Sequence, residues 1–394
     1  MTQRPRLVIV LSRFPYPLEK GDKLRAYYQI KHLALHFSIH LICVHEDRVT
    51  QQQRNALKPY CQEIHTVRIR KLFLPLRIVI GTLIKRFPLQ VSYFYSATAK
   101  RKINALLDDI KPAVIYNQLI RTAPYTVHRS EPKVIDIMDA FSYGMSQRSL
   151  ASKGLRRIIY RSESRLIRTY ENMVIPEYNG KTIISIQDKL RSSHLDGSQI
   201  ELVRNGVEMD RFKPIETQKL YDLVFVGNMG YAPNVEAAAF IVNEILPYYL
   251  AQYGKTLTVG IIGARPTPKV TSLQSDSVSV IGWVEDINLA YNQGKVFVAP
   301  IFHGIGQQNK LMEAMSCQLP CVVSPDVAAP FNAKHNQELL IAENVEEFVM
   351  QLNVVLEKRI DISLLKQNAI KSICNKYTWN QQTEPLIKIL QDLV

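Results

Sequence analysis

Short β-branched runs alternate with stretches of helical spacing along this 394-residue chain, and that alternation is the signature of parallel α/β units. In the first half the expected strands are Leu7–Leu11, Ile39–Val44, Ile64–Ile69, Ala113–Tyr116, Val134–Ile137, Thr182–Ile186 and Ile200–Val203. In the second half they are Leu223–Val226, Leu257–Ile262, Val278–Ile281, Val296–Ala299, Cys321–Val323 and Leu339–Ile341. Two open, doubly wound sheets are implied, and ligands of such sheets bind outside the carboxyl ends of the strands. The expected class is therefore α/β, with two Rossmann-like domains facing across a cleft.

The length exceeds what one ordinary core organises, so two or three domains are expected. Asn205-Gly206-Val207 ends a strand and Lys213-Pro214 interrupts any helix, which places the boundary between Asn205 and Leu220. The domains read as 1–205, 206–376 and a C-terminal helical segment 377–394 that returns to the first domain. Hydrophobic residues make up 46% of the chain and charged ones 21%, which excludes a disordered binder. The apolar run Leu7–Leu11 is stopped by Arg13, too short for a signal-peptide core or a membrane span. A cytoplasmic location follows. The cysteines Cys43, Cys61, Cys317, Cys321 and Cys374 form no Cys-x-x-Cys pair, so reduced, mostly core thiols are expected.

Charge is unevenly divided. Residues 1–205 carry 34 Lys and Arg against 16 Asp and Glu, a net +18, whereas residues 206–394 carry 15 against 19, a net −4. The first half therefore faces something anionic: a membrane surface, a phospholipid or polyprenyl-phosphate acceptor, or nucleic acid.

The segment Gly304 to Pro320 reads as a phosphate-binding turn feeding a helix. Gly304 and Gly306 precede the apolar-periodic residues Leu311, Met312 and Met315. The helix start offers N–H groups to an anion, with Lys310 as an added cation. Glu313, one turn on, can accept hydrogen bonds from ribose hydroxyls. Together these features point to a nucleotide ligand. The plainer reading of the same residues is an ordinary strand-to-helix turn with a surface Glu.

Beyond these local patterns, the order of motifs resembles the retaining glycosyltransferases of the GT-B fold, family four, and within it the sugar transferases of exopolysaccharide and exosortase systems. The matching pieces run from Arg13-Phe14-Pro15-Tyr16-Pro17 and Lys20-Gly21-Asp22-Lys23-Leu24-Arg25 through Val203-Arg204-Asn205-Gly206-Val207-Glu208. They continue with Phe225-Val226-Gly227-Asn228-Met229, Tyr231-Ala232-Pro233-Asn234, Ile262-Gly263-Ala264-Arg265-Pro266 and Ile281-Gly282-Trp283-Val284-Glu285-Asp286, and end in the Gly304 segment.

Carried over residue by residue, the resemblance places Glu313 at the second acid of the paired-glutamate motif that binds the donor ribose. The first acid falls at Ile305, which accepts no hydrogen bond; the Gly304 and Gly306 backbone and Asn309 are the replacements. Where relatives place a phosphate-binding Arg and Lys after the first strand of the second domain, this chain has Asn228 and Asn234, leaving Lys310 and Arg265 to supply the cations. In the first domain Asp139 remains without the His that many relatives put beside it.

The implied donor site comprises Gly227, Asn228, Arg265, Trp283, Val284, Gly304, Gly306, Asn309, Lys310 and Glu313. The implied acceptor site comprises Gly21, Asp22, Lys23 and Arg25, and the catalytic groups are Asp139 and Lys310. The donor is a UDP- or GDP-linked sugar, with no further cofactor and no metal, and no Asp-x-Asp occurs. The expected partners are the nucleotide sugar, a lipid-linked or glycan acceptor and an anionic membrane surface, with no nucleic acid. The protein would sit peripherally on the inner face of the cell membrane. A nucleotide-sugar epimerase of the same fold and a basic nucleic-acid-binding protein are the alternatives.

Several of these residues have a purely structural alternative. Asp139 and Asp22 would each cap a helix, and Arg265 would be a solvated loop side chain. Arg157, Arg161, Arg165 and Arg168 form one stripe of a helix whose other side carries Ile158, Ile159, Leu166 and Tyr170. That stripe reads as a solvated face or an anionic-lipid ridge. The segment Lys71 to Tyr95 reads as a core helix or a basic amphipathic helix lying in a membrane interface.

Overall fold

The computed structural model describes residues 4–302 and 307–394. The chain divides into two compact units, one comprising Met1–Arg204 with Thr383–Val394 and the other Asn205–Gln382. The first unit holds strands β1 Arg6–Leu11, β2 Ser38–His45, β3 Glu63–Arg68, β4 Val114–Gln118, β5 Lys133–Met138, β6 Gly180–Ile183 and β7 Ile200–Leu202. All pairings are parallel, in the order β3-β2-β1-β4-β5-β6-β7. The second unit holds β8 Tyr221–Val226, β9 Val259–Ile262, β10 Val278–Ile281, β11 Gly294–Ala299, β12 Cys321–Val323 and β13 Leu340–Ile341, again parallel, in the order β10-β9-β8-β11-β12-β13.

Each apolar run read from the sequence overlaps one of these strands. The reason is burial: helices cover both faces of a parallel sheet, so its strands need near-continuous Val, Ile and Leu. Leu7 to Val10 are buried without exception, as are Val296 to Ala299. One end differs, because the Ser185 hydroxyl accepts from the Asp188 N–H and starts a helix at Ile186 where a strand was expected to continue.

In each unit the strand order reverses once, between β1 and β4 in the first and between β8 and β11 in the second. Such reversals open a crevice at the carboxyl ends of the strands. These ends are where the site residues gather.

Three helical regions bear on the expectations from the sequence. The segment expected to be one helix from Lys71 to Tyr95 is broken into a 3-10 turn Lys71–Phe73, a helix Leu74–Val79, a π-turn Ile80–Ile84 and a helix Leu89–Phe94. It is not a core helix: Leu72, Leu83 and Ile84 are 81%, 75% and 74% exposed. The helix Gly154–Val174 exposes Arg157, Arg161, Arg165 and Arg168 as expected, but Ile158 and Ile159 are exposed too, and its buried side is Glu163, Ile167, Tyr170, Glu171 and Val174. The last helix, Trp379–Gln391, ends in the first unit, where Leu386, Ile387 and Leu390 join the core with Leu7, Ile9 and Leu33. Among the described residues no helix is long and apolar enough to cross a membrane.

Candidate active site

In the second unit, β8 runs directly into Gly227 and the loop to the helix Ala232–Phe240. A Cβ at Gly227 would sit 2.7 Å from Asn234 Nδ2 and 3.2 Å from Lys310 Nζ, so the bare backbone is what admits those two side chains. Gly263, at the end of β9, has φ of +149° and a Cβ there would lie 1.7 Å from the Gly227 carbonyl oxygen. Only glycine fits so close an approach. The loops are tied by Gly227 N–H donating to Ile262 O at 3.0 Å and Met229 N–H to Ala264 O at 2.9 Å.

Lys310 reaches this rim from the helix Asn309–Ser316. Its Nζ donates to Asn234 Oδ1 at 2.5 Å and lies 5.2 Å from the centre of the Phe225 ring. Asn234 in turn donates through Nδ2 to the Asn228 carbonyl at 2.9 Å. The position where the resemblance implied a lysine therefore holds an amide that grips a lysine from another element. Burial pulls the Lys310 ammonium down to about 7, opposed by the charge of Glu313.

Glu313 follows one turn later on the same helix face. The fully buried Tyr291 donates its hydroxyl to Glu313 Oε2 at 2.7 Å. Burial raises the Glu313 carboxyl, while the Tyr291 hydrogen bond and then the Arg211 and Lys310 charges pull it back. Its Oε1 accepts no hydrogen bond among the described residues. Tyr291 was not singled out in the sequence, because nothing local links it to a residue 22 positions on.

The start of the same helix is fixed by Asn205. The Gln307 side chain accepts from Asn205 N–H at 3.1 Å and donates to Asn205 O at 2.9 Å, while Asn205 Nδ2 donates to Asn309 Oδ1 at 3.2 Å. Gln308 occupies the N-cap without a capping side chain, so the first-turn N–H groups are not satisfied by one. Asn309 is thus an anchor of the helix start. Gly304 and Gly306, with Ile305, lie outside the described residues.

Of the other residues expected at the donor site, Asn228 is exposed on the β8 loop with its Oδ1 accepting from Gly230 N–H at 3.0 Å. Arg265 is exposed, with φ of +59°, on the β9 loop that packs on Gly230. Trp283 is 67% exposed after β10, and Val284 is half-buried. A Cβ on the neighbouring Gly282 would meet open space. The structure therefore brings Gly227, Asn228, Arg265 and Lys310 to one strand-end rim.

In the first unit, Asp22 lies in the first turn of the helix Gly21–Leu33 and pairs with Arg13 Nη1 at 2.5 Å. It is not that helix's cap, which is Lys20. Gly21 is exposed, and Lys23 lines a cavity of about 600 Å³ at the carboxyl ends of β1 and β2.

Arg25 does not belong with them. Its side chain is fully buried, with Nε donating to Asp136 Oδ2 at 2.6 Å and Nη2 to Oδ1 at 3.1 Å. Tyr116 and Thr182 also donate to Asp136, at 3.2 and 2.9 Å. The expected acceptor contact is corrected to a buried ion pair that ties the helix Gly21–Leu33 to β5, because its partner lies 111 residues away and outside any motif.

Asp139 follows Met138, whose φ of +62° breaks the β5 register and turns the chain out of the sheet. That non-glycine conformation costs about 1 kcal/mol or more and is held by the surrounding structure. Asp139 does not cap the next helix, whose N-cap is Ala140. Burial raises its carboxyl to about 7, reinforced by Asp188 and opposed by Arg25.

Among the described residues one group, His40, Glu63 and His65, has metal-ligand proximity. It sits near the amino ends of β2 and β3, away from this chemistry. Cys43, Cys61, Cys317 and Cys321 are buried free thiols and Cys374 is exposed.

The comparisons with known proteins agree with this architecture. Residues 221–358, all in the second unit, match the family described as "Glycosyl transferases group 1". Sucrose-phosphate synthase from Thermosynechococcus elongatus superposes with a TM-score of 0.69 at 13% identity, covering 98% of this chain and 99% of that one. Anabaena HepE, solved in complex with UDP-glucose, superposes with a TM-score of 0.69 at 12% identity over 98% and 99% of the two chains. An uncharacterized 44.6 kDa protein in the cps region of Klebsiella pneumoniae is 19% identical over 86% of this chain and 88% of its own length. The chain has the GT-B fold. Its second unit is similar to the group 1 glycosyl transferases over residues 221–358.

Proposed function

We propose that the protein is a retaining, metal-independent hexosyltransferase that moves a sugar from a UDP- or GDP-linked donor to a lipid-linked or envelope glycan acceptor. The observation that carries this is the Lys310–Glu313 pair, one turn apart beside Gly227, with the lysine held by Asn234 and the carboxylate by Tyr291. The similarity of the second unit to group 1 glycosyl transferases supports it, as does the UDP-glucose bound by HepE.

Donor cleavage breaks the bond from the anomeric carbon to the phosphate oxygen, leaving negative charge on the diphosphate while the sugar approaches an oxocarbenium ion. Stabilising charge where it develops is the main catalytic task. Lys310 and the first-turn N–H groups near Asn309 supply that stabilisation. Arg265 adds a second cation at the rim, and Asn228 binds the phosphates with its backbone. Glu313 Oε1 accepts from a ribose hydroxyl, and the backbone at Trp283 and Val284 meets the base edge. In front-face attack a donor phosphate oxygen takes the acceptor proton, so Asp139 has only to orient the acceptor hydroxyl, with Gly21, Asp22 and Lys23 beside it.

A membrane-bound acceptor is supported by the exposed aliphatic side chains of residues 72–84, by the +18 charge of the first half, and by a relative's place in a cps region. The protein then works peripherally at the cytoplasmic membrane face.

The test is transfer from a panel of UDP- and GDP-sugars to extracted membrane lipids, with the anomeric configuration of the product read by NMR. Transfer with retention supports the reading. Saturable binding of duplex DNA with a steep salt dependence, and of no nucleotide sugar, would replace it with the nucleic-acid alternative.

A further inference from the structure

The cavity of about 600 Å³ in the first unit carries an unusual electrostatic balance. Arg13, Lys20, Lys23, Arg48 and Arg121 line it against only Glu46 and Asp47. Glu46 is already engaged, by Tyr93 Oη at 2.7 Å and by Arg77 Nη2 at 3.6 Å. Arg13 is paired with Asp22. No carboxylate among the described residues hydrogen-bonds Arg121.

Arg121 and Arg13 share one aromatic platform. Their guanidinium carbons lie 5.2 and 5.4 Å from the centre of the Phe94 ring, and Arg121 also lies 5.4 Å from that of Phe141. Arg121 Nε donates to Gln90 Oε1 at 3.1 Å, but its Nη1 is buried and has no hydrogen-bond partner. Arg13 has its counter-charge in Asp22, so the strained group is Arg121: a guanidinium beside a second one, with an unsatisfied buried donor between apolar walls, is a costly arrangement without a further anion. Burial and then Arg13 lower the Arg121 guanidinium to about 10, with the charges of Asp22 and Asp139 opposing them.

A planar guanidinium pair favours phosphate oxygens through charge-assisted and bidentate bonds. The cavity also has an apolar side, lined by Ile78, Leu89 and Phe94. Ile78 belongs to the same short helix whose Leu76 and Val79 are exposed. The cavity wall is thus continuous with the exposed aliphatic segment.

We propose that this cavity is a phosphate-ester site in which Arg121 and Arg13, seated on Phe94, grip the phosphate group of the acceptor. Lys23 adds a third cation at the cavity. The adjoining apolar wall favours a lipid carrier over a soluble sugar phosphate as the source of that group. The inference rests on the transferase reading for the word acceptor, but the site itself does not depend on it.

Calorimetric titration of the full chain with decyl phosphate, glucose 1-phosphate and decanol tests it, alongside a UDP titration that reports the second unit. Decyl phosphate should bind saturably and decanol should not. Arg121→Met should weaken decyl phosphate at least ~10-fold, Arg121→Lys should recover part of the loss, and UDP affinity should not change in either. Lys23→Met, a change at a half-buried position, gives a second weakened variant if Arg121→Met folds poorly. Equal or tighter binding of glucose 1-phosphate keeps the phosphate site and assigns a soluble source. Equal binding of decyl phosphate and decanol, or unaltered affinity in the Arg121→Met protein, overturns the proposal. Phosphate binding without any nucleotide binding would sink the transferase reading and leave this site standing.

Discussion

The Lys310 ammonium donates to the Asn234 side-chain oxygen at 2.5 Å, and Asn234 in turn donates to the Asn228 carbonyl at 2.9 Å. One amide therefore fixes a cation from the helix Asn309–Ser316 against the loop that follows β8. Positioning of this kind governs how much a charge contributes in the transition state. Lys310→Met should lower kcat by about 10²–10³. Asn234→Ala, which leaves the charge but frees the lysine, should cost about 10-fold or more, and the two losses should not add in the double variant. Steady-state kinetics on all three proteins measures this; additive losses would mean that Asn234 does not act through Lys310.

Lys310 also sets a pH dependence. Its ammonium is lowered to about 7 in the absence of ligand, and an adjacent diphosphate favours the charged form and raises it again. Donor binding should therefore take up a proton at pH 8 and much less at pH 6. Donor affinity should fall as pH rises above about 7. Titration in two buffers of different ionisation enthalpy reads the uptake directly, and the Lys310→Met protein should show none of it.

Asp139 has the opposite charge type, and its carboxyl is raised from 3.8 to about 7. A raised acid binds its proton more tightly in the folded state, so its contribution is fully present below about pH 4 and lost as pH rises through 7. Asp139→Asn removes that loss. The variant should gain on the order of 1 kcal/mol over the native protein at pH 8 and nothing at pH 4. Thermal unfolding across pH measures this, and parallel curves for the two proteins would show that Asp139 is not held in a charge-repelling pocket.

The aliphatic side chains of residues 72–84 make a surface prediction. Replacing Leu83 and Ile84 by Lys together puts two charges where apolar contact with lipid is expected, and burial of such side chains is worth about 1.5–3 kcal/mol each. Co-sedimentation with anionic vesicles should drop by at least ~10-fold, while UDP binding stays unchanged. Undiminished sedimentation would move the contact to the arginine stripe of the helix Gly154–Val174.

The strands were legible because a parallel sheet buries both faces, and runs such as Val296–Ala299 have no other use for four buried apolar residues in succession. Lys310 and Glu313 could be read onto one helix face because they lie within one helical turn of each other. Arg25 was misread for the converse reason: its partner Asp136 is remote in sequence, and a buried arginine looks the same as an exposed one until the fold is known. Arg121 gave no signal at all, since it lies in a short loop after β4 with no glycine or motif around it. The segment 71–95 showed apolar spacing without its outcome, because periodicity reports which side chains share a face and not what covers that face.

A nucleotide sugar held in the second unit between Lys310 and Glu313 is the proposal on which the transferase reading depends. Calorimetric titration of the native chain, Lys310→Met and Glu313→Ala with UDP- and GDP-linked sugars measures it. One donor class should bind at one site per chain, and each substitution should weaken it by about 10-fold or more. Absence of binding by every donor, or equal affinity in all three proteins, would contradict it.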